Sequence, residues 1–161
     1  MEREFMYNAA YSGTKGYTQH QARTANANGF AAAADDYAER GIDLNEQLIL
    51  NKPATFFFRM KGDAMTDAGI HEGDVLIVDR SIKAESGKII VGSINGELLV
   101  RRFQKTFNKA FLSPENRKFR PVEIDEFVRF DPWGVVTCVI HVIDPVLQSF
   151  LDNRKRDKSI G

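Results

Sequence analysis

The side chains that could do chemistry in this sequence gather around one stretch, Phe56 to Arg80, reading FFFRMKGDAMTDAGIHEGDVLIVDR. Four aspartates lie in it, Asp63, Asp67, Asp74 and Asp79, whose carboxylates are of the type that hard divalent cations take as ligands. Aspartate is also the residue that closes turns and caps strand ends through its own backbone, and the neighbouring glycines favour that reading. No metal and no cofactor is expected. The three imidazoles, His20, His71 and His141, are far apart and show no ligand spacing; His71 falls in a turn and His141 in a strand, both read as structural or solvated. A single cysteine, Cys138, excludes an internal disulfide, and its neighbours Val136, Val139 and Ile140 suggest a buried structural thiol. The basic tail residues Arg154, Lys155, Arg156 and Lys158 are diluted by Asp152 and Asp157 and read as a solvated C-terminus.

The elements that must position these groups are mostly strands. Thr55–Met60, Val75–Asp79, Ile89–Ser93, Ala110–Leu112 and Val122–Ile124 are short apolar or β-branched runs bounded by turn residues. Asn95-Gly96 between Ile89–Ser93 and Leu98–Arg101 is the strongest hairpin signal and sets the register of the strand carrying Arg101. The run Gly134–Ile143 is β-branched almost throughout, as for a strand buried on both faces or central to a dimer. Asp43 with Glu46 has capping-box spacing and predicts a two-turn helix ending near Asn51–Pro53, and a short helix is expected over Val146–Leu151. Residues 1–42, rich in Ala, Asn, Gly, Thr and Gln without a sustained apolar period, predict a flexible N-terminal arm; 43–145 form a β-rich domain and 146–161 a short helix and charged tail. With 161 residues, one domain plus an arm is expected. The 22 basic and 22 acidic residues cancel, so direct, counterion-driven DNA binding is not expected. No signal-peptide core or membrane-length apolar run is present in the sequence, and a cytoplasmic location is expected.

The GDAM turn before Gly73-Asp74-Val75-Leu76-Ile77-Val78-Asp79, with Gly96–Phe103 reading GELLVRRF, resembles the LexA and UmuD family of self-cleaving Ser-Lys peptidases. The resemblance implies a LexA/UmuD-type fold of twisted antiparallel sheets. It places the nucleophilic serine position at Ala64 and the general-base lysine position at Arg101, both departing from the family pattern. It further implies an oxyanion site from backbone N–H groups at Asp63 and Ala64, and a cleavage bond at Asn28-Gly29 within the arm. Alanine has no nucleophilic atom, and arginine keeps its proton at any physiological pH, so the chain is expected to be inactive as a peptidase by this mechanism.

Within that family the arm length resembles UmuD-like SOS mutagenesis proteins. The resemblance implies a homodimer that meets a RecA-type filament, loses its arm by self-cleavage, and serves as accessory subunit of a Y-family (UmuC-like) translesion DNA polymerase. A LexA or phage-type repressor would need a helix-turn-helix domain before the cleavage region, and the residues ahead of Gly29 show no helical period. A signal peptidase relative would need a membrane anchor. A β-rich interaction module that has lost catalysis differs from the UmuD-like reading chiefly in its partner.

Overall fold

The computed structural model describes residues 7–8 and 42–157. Eight strands form its framework: β1 (Tyr7–Asn8), β2 (Thr55–Arg59), β3 (Val75–Asp79), β4 (Ile89–Ile94), β5 (Glu97–Lys105), β6 (Ala110–Ser113), β7 (Val122–Ile124) and β8 (Phe130–Ile140). They form one sheet in the order β1-β2-β3-β8-β4-β5-β6-β7, antiparallel at every pairing. The last strand is therefore inserted between β3 and β4 and joins the two halves of the sheet.

The β-branched run is expected to reach Ile143, buried on both faces or central to a dimer. The strand instead spans Phe130–Ile140, hydrogen-bonded along both edges, with Thr137 and Ile140 exposed. Two register shifts bend it: Ile77 pairs Cys138 while Val78 pairs Val136, leaving Thr137 unmatched, and Val91 pairs Gly134 while Gly92 pairs Pro132, leaving Trp133 unmatched. The Thr137 hydroxyl donates to the Ile77 carbonyl at 3.2 Å. Pro132, which has no N–H to offer a ladder, falls at the second irregularity. Cys138 is half-buried rather than buried, with its Sγ 3.7 Å from the Val139 carbonyl oxygen.

Strand alternation sends neighbouring side chains to two apolar clusters. Met60, Met65, Ile70, Leu76, Val78 and Val91 make one, and Ile90, Leu112 and Val135 the other. The phenylalanine run is half-buried: Phe58 packs against the first cluster, and Phe56 and Phe58 meet the Trp133 indole edge-on, with ring centroids 5.2 and 4.8 Å away. The hairpin at Asn95-Gly96 has φ of 51° and 89°, the two positive values that a two-residue type I′ turn needs.

The helices differ from expectation in length. Asp43 caps α1 (Leu44–Leu48), accepting from the Asn45 N–H at 2.8 Å, but the helix ends after five residues. A 3-10 turn over Lys52–Ala54 follows, because Pro53 cannot supply the N–H an α-helix would need. At the other end α2 spans Pro145–Asp157, beyond the expected Leu151. No helix among the described residues is long and apolar enough to cross a membrane.

Candidate functional site

The β2–β3 pairing continues past its last strand residues, since the Met60 N–H donates to the Asp74 carbonyl at 2.8 Å and the Gly73 N–H to the Met60 carbonyl at 2.9 Å. This closes the base of an excursion over residues 61–72. Within it, Gly62 and Gly69 adopt left-handed φ of 77° and 78°, and a 3-10 turn covers Thr66–Ala68. Met65 and Ile70 point into the first core cluster, which anchors the excursion against the sheet. Ala64, beside Met65, is buried with 5% of its surface exposed.

The β6–β7 connection holds this turn in place. The Glu115 N–H donates to the Ala64 carbonyl at 2.9 Å, the Glu115 carbonyl accepts from the Asp67 N–H at 2.8 Å, and the Asn116 amide donates to the Asp63 carbonyl at 2.7 Å. Arg102 on β5 forms an ion pair with the Glu115 carboxylate. Arg101, opposite Ile90 in the β4–β5 ladder, reaches the same connection, its guanidinium 5.8 Å from the Phe119 ring centroid. One terminal nitrogen of Arg101 donates to the Val100 carbonyl at 2.7 Å, and its Nε is buried without a hydrogen-bond partner. Burial pushes the Arg101 pKa below the ordinary arginine value, and the carboxylate of Glu97 opposes the shift. Ala64 and Arg101 therefore border one connecting loop. Neither can do the acid-base or nucleophilic work of a Ser-Lys dyad, since one is a methyl group and the other keeps its proton. Asn28 and Gly29 lie outside the described residues.

A second constellation brings together two histidines that lie 70 positions apart in the sequence, His71 and His141. Val75 pairs with Ile140, so the next positions along the two strands, Asp74 and His141, meet across the ladder: His141 Nδ1 lies 2.5 Å from Asp74 Oδ1. His71 is brought back to the same carboxylate by a tight turn. The Asp74 N–H donates to the His71 carbonyl at 3.1 Å, with Gly73 at φ 90° in the position a type II turn reserves for positive φ. The His71 N–H in turn donates to Asp74 Oδ2 at 2.7 Å. Asp74 is 2% exposed, whereas both imidazoles are about half exposed, and the two rings lie 5.4 Å apart. The local signal, His-x-x-Asp beside a strand, was present in the sequence; the third member could be placed only once the β3–β8 register was known. Asp79 closes the turn that follows its strand, its carboxylate accepting from both the Ser81 N–H and hydroxyl at 2.7 and 2.6 Å.

Comparison with known proteins matches residues 23–137 to the Peptidase S24-like family. The chain is 41% identical over 117 residues to Protein ImpA of Escherichia coli, an overlap covering 70% of this chain and 77% of that protein. It is 38% identical over 110 residues to Protein MucA of Escherichia coli, covering 68% and 75% respectively. A LexA repressor from Shewanella piezotolerans is 43% identical over a shorter overlap of 72 residues, 45% of this chain and 35% of the repressor. The antiparallel sheet, the turn carrying Ala64 and the extent of these matches together establish that the chain belongs to the Peptidase S24-like family as a UmuD-like member.

Proposed function

We propose that this chain is a UmuD-like SOS mutagenesis protein, an accessory subunit of a Y-family translesion polymerase, that keeps the family's peptidase framework without its peptidase chemistry. The observation that carries this reading is the pairing of Ala64 and Arg101 around residues 115–119, one on the turn and one on β5, where the resemblance puts nucleophile and base. Loss of one member of such a unit costs about a million-fold in rate, roughly 8 kcal/mol of barrier, so two losses leave no self-cleavage by this route. In this reading the backbone N–H groups of Asp63 and Ala64 retain an oxyanion-binding role, since it depends on the main chain and not on the side chains. Residues 1–42 act as the arm, Asn28-Gly29 is the bond addressed, and the protein works in the cytoplasm as a homodimer that engages a RecA-type filament.

The chemistry is tested by restoration. Ala64→Ser supplies a hydroxyl but leaves no base, and Arg101→Lys supplies an amine with nothing to activate; each single variant is expected to stay uncut. The double variant is expected to cleave at Asn28-Gly29, faster at pH 10 than at pH 7 because the neutral amine fraction rises, as read by mass spectrometry with and without activated RecA filament. Cutting by Ala64→Ser alone at the double variant's rate removes Arg101 from the base position. The partner claim is tested separately by co-purification of the unmodified chain with a UmuC-like polymerase; absence of a complex leaves the non-catalytic interaction module as the better reading.

A further inference from the structure

We infer that His71, Asp74 and His141 form a binding site for a divalent transition-metal ion of the zinc type, on the sheet end that carries the 71–74 turn. Each residue offers a ligand atom, and the three atoms lie within 4.8 Å of one another. A tetrahedral ion with ligand distances of about 2.0–2.1 Å holds its donors roughly 3.3 Å apart. The separations here lie on either side of that figure, 2.5 Å from His141 Nδ1 to Asp74 Oδ1 and 3.8 Å from His71 Nδ1 to Asp74 Oδ2. Small rotations of two half-exposed imidazoles are enough to open the first and close the second, and neither ring has to leave a packed core to move.

The carboxylate is the fixed member. Asp74 is buried, its backbone is held in the β2–β3 ladder through the Met60 N–H, and its Oδ2 accepts from the His71 N–H, so Oδ1 remains aimed at His141. Arg59 donates to the Gly73 carbonyl at 3.1 Å and steadies the turn from outside. This is the kind of support that orients ligands around a metal. Two imidazole nitrogens with one carboxylate oxygen suit Zn²⁺, Co²⁺, Ni²⁺ or Cu²⁺; Ca²⁺ and Mg²⁺ demand more oxygen donors than the site supplies. Three protein ligands leave a fourth position for water or a ligand atom from a bound partner.

Full-length protein titrated with Zn²⁺ at about pH 7.5 by calorimetry tests the site. The expected result is one ion per chain with Kd tighter than about 10 μM, and at least tenfold weakening, about 1.4 kcal/mol, in His71→Gln and again in His141→Gln. Both substitutions are at half-exposed rings, so the fold is retained, and circular dichroism of each variant checks this. Co²⁺ in place of Zn²⁺ is expected to give the strong visible bands of four-coordinate cobalt, lost in the same two variants. Cys138→Ser and His20→Gln serve as controls and should leave affinity and spectrum unchanged. Unaltered Zn²⁺ affinity in His71→Gln and His141→Gln, loss of binding in either control, or no binding at all overturns the inference and leaves Asp74 with His141 as a metal-free hydrogen-bonded pair.

Discussion

Gly134 faces Val78 of β3 with no room for a side chain between them, and replacing it by alanine probes the strand that joins the two halves of the sheet. Its φ is not in the positive region, so the added methyl group is allowed by the backbone and any cost comes from space. A Cβ built there lies 2.7 Å from Val78 Cγ1, and 3.4 Å from both Arg80 Cγ and the Asp79 carbonyl oxygen. Arg80 can shift by moving along its chain, although its guanidinium packs 4.5 Å from the Trp133 ring centroid. Val78 cannot shift freely: it is fully buried and β-branched, with restricted χ1 freedom against a packed cluster. Overpacking of this kind costs about 1–3 kcal/mol, and the reduced freedom of the unfolded chain returns about 0.4–1 kcal/mol. The expected net loss for Gly134→Ala is about 1–2 kcal/mol. Urea unfolding followed by the fluorescence of the single tryptophan, Trp133, measures it. The mechanism is isolated by a cycle with Val78→Ala, which removes the obstructing methyl group and is itself destabilising by about 2–3 kcal/mol. In that background Gly134→Ala should be neutral or slightly stabilising, a coupling of at least about 1 kcal/mol. Equal costs in both backgrounds would falsify the steric argument and place the effect of Gly134 in the backbone.

Two further outcomes follow from geometry elsewhere. In Arg101→Lys the same burial that lowers the arginine pKa should depress the amine below the ordinary lysine value, so the unfolded chain binds more protons between the two pKa values. Stability of that variant, relative to the parent, should therefore rise with pH through that interval; a flat difference shows the introduced amine to be solvated. Gly96→Ala places a Cβ at φ 89° in the β4–β5 turn, and although nothing crowds it within 4 Å, the left-handed backbone should cost about 1–2 kcal/mol in urea midpoint measurements. A loss below about 0.3 kcal/mol shows that the turn can rearrange to another type without disturbing the Arg101 register.

Much of the strand content was legible from the sequence because strands announce themselves locally. The Asn95-Gly96 hairpin, the run through Val75–Asp79 and the strand through Phe56–Phe58 were readable from turn chemistry and side-chain type within a few residues. So was the resemblance around Ala64, since the flanking Gly62-Asp63 and Gly73–Asp79 lie in one stretch of chain even though Ala64 itself departs from the family pattern. Helix lengths were less legible: α1 stops at Leu48 because Pro53 and the onset of β2 limit it, and α2 runs on through charged residues whose own pattern suggested a solvated tail. What the tertiary structure alone decided was which distant segments meet. Insertion of β8 between β3 and β4 put His141 beside Asp74, and packing of the β6–β7 connection brought Glu115, Asn116 and Phe119 to the surroundings of Ala64 and Arg101. These contacts depend on sheet order and register, which arise from the summed burial of many strands and leave no mark on the spacing of the residues they unite.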